Sequence, residues 1–220
     1  MRKMWILSVL TGLICAAQLN GQIIFSENMG TPTGTTSISA NVFQNSSFGF
    51  SGTGDVRSTT TSGGYIGASG NGNIFLTAGS NANFVISGID TLGYASGSLD
   101  LSFGAYKSAI ASSMSELVLE YSNNGGSYVS LALPAQATGA GTANWRLIDL
   151  IDTALPVTSN LSLRWTNTAA LGGVQFRLDD VMLSGTSAVP EPSSFALLFL
   201  GLGGLCFLRG RVLKCYQVKI

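Results

Sequence analysis

Between Gln22 and Ser187 apolar residues alternate with polar ones at a period of two, and this constrains the fold more than any other feature of the chain. Leu99, Leu101, Phe103 and Ala105 are interleaved with Asp100, Ser102 and Gly104. Leu117, Leu119 and Tyr121 alternate with Glu116, Val118 and Glu120, as do Leu161, Leu163 and Trp165 with Ser162 and Arg164. Successive side chains of a strand point to opposite faces, so each run buries one row and exposes the other. Further strands are predicted at 22–25, 42–50, 74–77, 83–86, 128–133, 145–151 and 174–183. Asn123-Asn124-Gly125-Gly126 reads as a hairpin turn, because Asn and Gly tolerate positive φ. Apart from a turn near 108–115, no stretch of the body has helical spacing. The expected class is all-β, a two-sheet antiparallel sandwich of jelly-roll type. The segment 30–72, rich in Thr, Ser and Gly, is expected to form long loops and edge strands rather than disorder, since Phe43, Phe48, Phe50 and Tyr65 need burial.

Composition then removes whole classes of function. The body, 22–187, holds five basic residues (Arg57, Lys107, Arg146, Arg164 and Arg177) against ten acidic ones, so it has no electrostatic footprint for nucleic acid. The 220-residue chain has no histidine, and its three cysteines, Cys15, Cys206 and Cys215, lie in the terminal segments. A body without His or Cys cannot build a Ser-His-Asp triad, a Cys-His dyad or the usual zinc site, and it has no disulfide to lean on.

The remaining bases mark the two ends. Arg2 and Lys3 precede the apolar stretches 5–10 and 12–17, the pattern of a secretory signal helix, with cleavage by signal peptidase after Ala17 or Gly21. At the other end Val189, Pro190, Glu191 and Pro192 are followed by an unbroken apolar run, Phe195–Leu208, and then by Arg209, Arg211 and Lys214. The prolines forbid helix and hold the motif extended and accessible. The 14-residue run spans about 21 Å as a helix, short of a hydrocarbon core of about 30 Å, and snorkelling bases make up the difference. The basic cluster stays cytoplasmic, so the body lies outside.

Motif, short transmembrane helix and basic cluster, in that order, resemble the PEP-CTERM sorting signal of Gram-negative bacteria. The resemblance covers 188–214 and implies recognition by an exosortase-type membrane protease-transpeptidase, with removal of the tail and transfer to the cell surface or matrix. Leu155-Pro156-Val157-Thr158-Ser159 only mimics a sortase motif, lacking its Gly and its apolar sequel. The stretch 117–185 also looks like jelly-roll modules of bacterial surface and carbohydrate-active proteins, a likeness of pattern that implies a fold and not a function.

Candidate chemistry in the body is sparse. A glycosidase needs two carboxylates about 5–9.5 Å apart. Glu116 and Glu120 share a strand face but lie about 13 Å apart at 3.3 Å per residue, and Asp179 and Asp180 are expected on opposite faces. Two readings of Glu27, Asp179 and Asp180 stand side by side. If the first and last strands are neighbours, these oxygens suit a structural calcium ion. The plainer reading has Asp180 capping a turn and Asp179 pairing with Arg177 on a solvated face. Trp145, after a Gly-rich loop, is a candidate sugar-stacking residue, with core packing as the alternative. The Thr runs 31–36 and 59–61 lack the regular spacing of an ice-binding lattice. The expected function is an exported, non-enzymatic surface or matrix protein associated with exopolysaccharide. The alternative is a carbohydrate-binding module, and more distantly a glycan-cleaving enzyme. No cofactor beyond the calcium is implied.

Overall fold

The computed structural model describes residues 21–136 and 144–188; the expected signal helix and the expected transmembrane helix of the sorting tail lie outside the described residues. Twelve strands make up the described chain: β1 (Gln22–Glu27), β2 (Thr35–Ser37), β3 (Gly49–Gly52), β4 (Asp55–Arg57), β5 (Asn73–Leu76), β6 (Asn83–Ile89), β7 (Tyr94–Lys107), β8 (Leu117–Asn123), β9 (Val129–Leu131), β10 (Trp145–Thr153), β11 (Leu161–Asn167) and β12 (Phe176–Ser187). They form two antiparallel sheets. One runs β10-β7-β12-β5-β4-β2 with β1 also on β12, and the other runs β3-β6-β11-β8-β9. No helix among the described residues is long and apolar enough to cross a membrane.

The alternating rows face one another between the sheets. Leu99, Leu101 and Phe103 of β7 and Leu161, Leu163 and Trp165 of β11 are all fully buried. The Trp165 ring lies 5.4 Å edge-on from Phe103 across the sandwich and 6.1 Å from Phe84 beside it, tying the sheets together. Each such side chain contributes roughly 1.5–3 kcal/mol by burial. Glu120 points outward and pairs with Arg164, whose guanidinium covers the Tyr128 ring at 3.6 Å.

Two local expectations need correction. The strand predicted over 42–50 starts only at Gly49, because the amides of Gln44 and Asn45 are bound by the Glu27 carboxylate, at 2.9 and 2.8 Å, instead of a ladder. Phe43 still reaches the core from this loop, stacking at 4.0 Å on Phe50. The turn near 108–115 is not helical, since the Lys107 ammonium gathers the carbonyls of Ile110 and Ser112. The one helical turn among the described residues is a 3₁₀ turn at Ile38–Ala40.

β12 organises the larger sheet. β7 pairs along most of one side, while the other side is divided between β5, on Phe176–Leu178, and β1, on Val181–Gly185. Where β1 and β5 part, the register against β7 slips by one residue, and Asp180 sits at φ +50°. Such a bulge turns side chains away from strict alternation.

Candidate functional site

The first feature of note is the outer face of the larger sheet at that bulge. The segment 58–72 crosses this face as a strap. Tyr65 donates its hydroxyl to Asp180 Oδ2 at 2.5 Å, and the Ser69 amide donates to the same carboxylate at 3.1 Å. Ser69 Oγ reaches Asp179 Oδ2 at 3.3 Å, and Asp179 Oδ1 accepts the Asp180 amide at 2.8 Å. Gly104 of β7 makes room for this arrangement, since a Cβ there would lie 2.0 Å from the Tyr65 oxygen. Further along the strap, the Thr59 and Thr60 carbonyls accept bonds from Asn73 Nδ2, Arg177 Nη1 and Trp145 Nε1.

Electrostatics follow from this burial. Asp179 is fully buried, and desolvation pushes its carboxyl up to about 7 against the donated bonds. Burial, reinforced by the bond to Asp180, holds the Tyr65 phenol protonated far above its ordinary range. The two aspartates are therefore committed to holding the strap.

The expectations for these residues change accordingly. Asp179 and Asp180 do not point to opposite faces: the bulge brings both to Ser69. Nor does Asp179 lie on a solvated face paired with Arg177; it is buried, and the ion pairs among the described residues are Arg57–Asp55 and Arg164–Glu120. β1 and β12 are neighbours as the calcium reading requires, with Glu27 opposite Val181. Yet the Glu27 carboxylate turns to the 44–45 amides while the aspartates turn to the strap. No group of three or more acidic side chains suited to a metal ion forms among the described residues. Trp145 is 8% exposed, packs 5.8 Å from the Tyr106 ring and lies under the strap, so it offers no stacking platform. The motif residues Val189, Pro190, Glu191 and Pro192 and the bases Arg209, Arg211 and Lys214 lie outside the described residues.

The second feature is a groove of about 690 Å³ beside β2. It is lined by residues of the segments 28–36 and 40–44 and by Asn71. The Glu27 carboxylate binds the amides at the end of the 40–44 segment, and Asn41 Nδ2 ties that segment to the Met29 carbonyl at 3.1 Å. Among the lining residues Gly30 has φ +68°, and a Cβ there would strike the Val42 carbonyl at 2.2 Å. The lining is threonine hydroxyls and Asn and Gln amides, with Pro32, Val42 and Phe43 as apolar surface and no charged side chain. Such a lining suits a neutral, hydroxyl-bearing ligand and is ill suited to a phosphate or a metal cation. Sequence reading passed over this groove because its Thr and Asn residues look like ordinary loop composition.

The fold thus defines a class first: an all-β sandwich of two antiparallel sheets whose first and last strands pair within the larger one. Its particular affiliation lies in the tail, where residues 188–212 match the PEP-CTERM protein-sorting motif. No curated protein matches the chain. Among solved structures, a xylan-binding domain from Paenibacillus barcinonensis is 14% identical with a TM-score of 0.42, covering 77% of this chain and 97% of its own. A carbohydrate-binding module of Cellvibrio mixtus lichenase 5A, solved with cellotriose, is 14% identical with a TM-score of 0.38, over 75% and 99% of the two chains. A family 29 carbohydrate-binding module is 13% identical with a TM-score of 0.41, over 80% and 96%. The motif implies an exported protein, anchored transiently by its C-terminus, processed by an exosortase and left at the cell surface.

Proposed function

We propose that this chain is a non-enzymatic surface or matrix protein whose sandwich associates with exopolysaccharide after exosortase processing. The observation that carries this reading is the position of the sorting motif. It begins at residue 188, immediately after Ser187 ends β12. Cleavage there leaves every described strand intact, so the body is built to outlast its tail. A cleaved leader at the N-terminus and a short membrane helix over Phe195–Leu208 complete the route. The neutral groove beside β2 supports a polyhydroxylated partner, and the reading calls on no cofactor.

The same groove favours the second reading, a carbohydrate-binding module with a defined oligosaccharide ligand. A glycan array probed with residues 22–187 separates them. Retention on native polysaccharide without a preferred oligosaccharide supports the matrix reading, and one dominant oligosaccharide supports the module. Release of reducing sugar from any polysaccharide would overturn both in favour of an enzyme.

A further inference from the structure

A second, smaller cavity of about 110 Å³ opens on the outer face of the larger sheet, lined by Thr60, Phe75, Tyr106, Ser108, Gln175 and Arg177. Arg177 is 9% exposed, and it forms no ion pair among the described residues. Its protein hydrogen bonds, to the Thr59 carbonyl at 2.8 Å and Asn73 Oδ1 at 2.7 Å, are both made by Nη1. Nε and Nη2 remain uncommitted, and together they form the side edge of the guanidinium that grips a carboxylate with two parallel bonds. Its charged neighbour on this face is Arg57, itself paired with Asp55 at 3.0 Å: the Arg57 and Arg177 guanidiniums lie 3.5 and 5.0 Å from the Phe75 ring centre. Burial and the Arg57 charge both disfavour the Arg177 cation and lower its pKa. A largely buried cation that lacks an ion-pair partner of its own is unfavourable, and an anion entering the cavity would supply that partner.

We propose that this cavity binds the carboxylate of a uronic-acid residue, with Arg177 Nε and Nη2 gripping the carboxylate while Tyr106, Ser108 and Gln175 contact the ring and its hydroxyls. The volume is well below the roughly 300–1,000 Å³ of pockets that enclose drug-sized ligands, so it takes one acidic group and the adjoining ring edge. The assignment rests on the reading of the body as polysaccharide-associated and adds to it the charge of the polysaccharide.

The test is calorimetric titration of the full-length protein in detergent with glucuronate, glucose and acetate, then with polyglucuronate and dextran. Glucuronate should bind at least 10-fold tighter than glucose, weaken with added salt, and be matched by polyglucuronate over dextran. Arg177→Gln should abolish this preference. Because Arg177 also holds the strap, Gln175→Trp serves as the second variant: position 175 is exposed, and the indole fills the cavity without touching the Nη1 bonds. It should lose at least 10-fold in glucuronate affinity with an unchanged melting temperature. Equal binding of glucuronate and glucose, or full binding by Gln175→Trp, overturns the site. Acetate binding as tight as glucuronate with no polyglucuronate binding overturns its saccharide assignment. Dextran binding without any uronate preference overturns this site alone, whereas failure of both polymers overturns the polysaccharide reading itself.

Discussion

Burial raises the Asp179 carboxyl to about 7, whereas an unfolded chain releases that proton near pH 4. Between those values the native state holds a proton that the unfolded state has lost. Stability from this group is therefore full below about pH 4, falls as pH rises towards 7, and is level above, by at most about tenfold in the folding constant per pH unit. Urea midpoints across that range should show the decline in the wild type, and Asp179→Asn should flatten it. Parallel profiles would show that Asp179 titrates normally. Trp165 offers a second residue-scale test, because its fully buried Nε1 has no acceptor among the described residues. Trp165→Phe removes the orphan donor and should cost less than about 2 kcal/mol, against about 3–5 for Trp165→Ala, as measured by denaturant unfolding. The residue-scale surprise is that Asp179, in a strand with polar neighbours, is buried. Desolvation favours its neutral form, against the bonds donated by Ser69 and the Asp180 amide, and Ser69 is far away in sequence.

At the scale of elements, the strap 58–72 depends on a gap in the sheet. Gly104 supplies that gap, and Tyr65 fills it to reach Asp180. Gly104→Ala should lift the Tyr65 ring from the sheet, cost about 1–3 kcal/mol, and speed chymotryptic cleavage after Tyr65. Unchanged cleavage would mean that the strap is held by the Thr59 and Thr60 carbonyls alone. The alternation of β7, β8 and β11 was legible because their inward rows are simple apolar runs. The bulge in β12 was not, because its cause is the split between two partner strands. Likewise Glu27 reads as a metal ligand, and only its contact with Gln44 and Asn45 shows it ordering a loop.

For the whole molecule, β12, which holds β1 within the larger sheet, ends just before the sorting motif. Body and tail are thus separable, and so should be the effects of mutating the tail's parts. Glu191→Ala or Pro190→Ala should leave insertion intact and block processing, so that full-length protein accumulates in a pulse-chase. Replacing Arg209, Arg211 and Lys214 with Ser should instead weaken membrane retention. Equal loss of the tail in hosts with and without an exosortase, or normal maturation of Glu191→Ala, would reduce the segment to a plain anchor.

What the sequence by itself determined is the all-β class and the sorting address. Both are written in local order: a period of two in hydrophobicity, and a motif, apolar run and basic cluster in succession, each readable without a partner. The tertiary structure alone decided which polar residues meet. Tyr65 and Asp180 are 115 residues apart, and Arg177 finds Asn73 across 104. The energy that places these groups comes from burying them together, and a burial shared between distant strands has no signature in either strand alone.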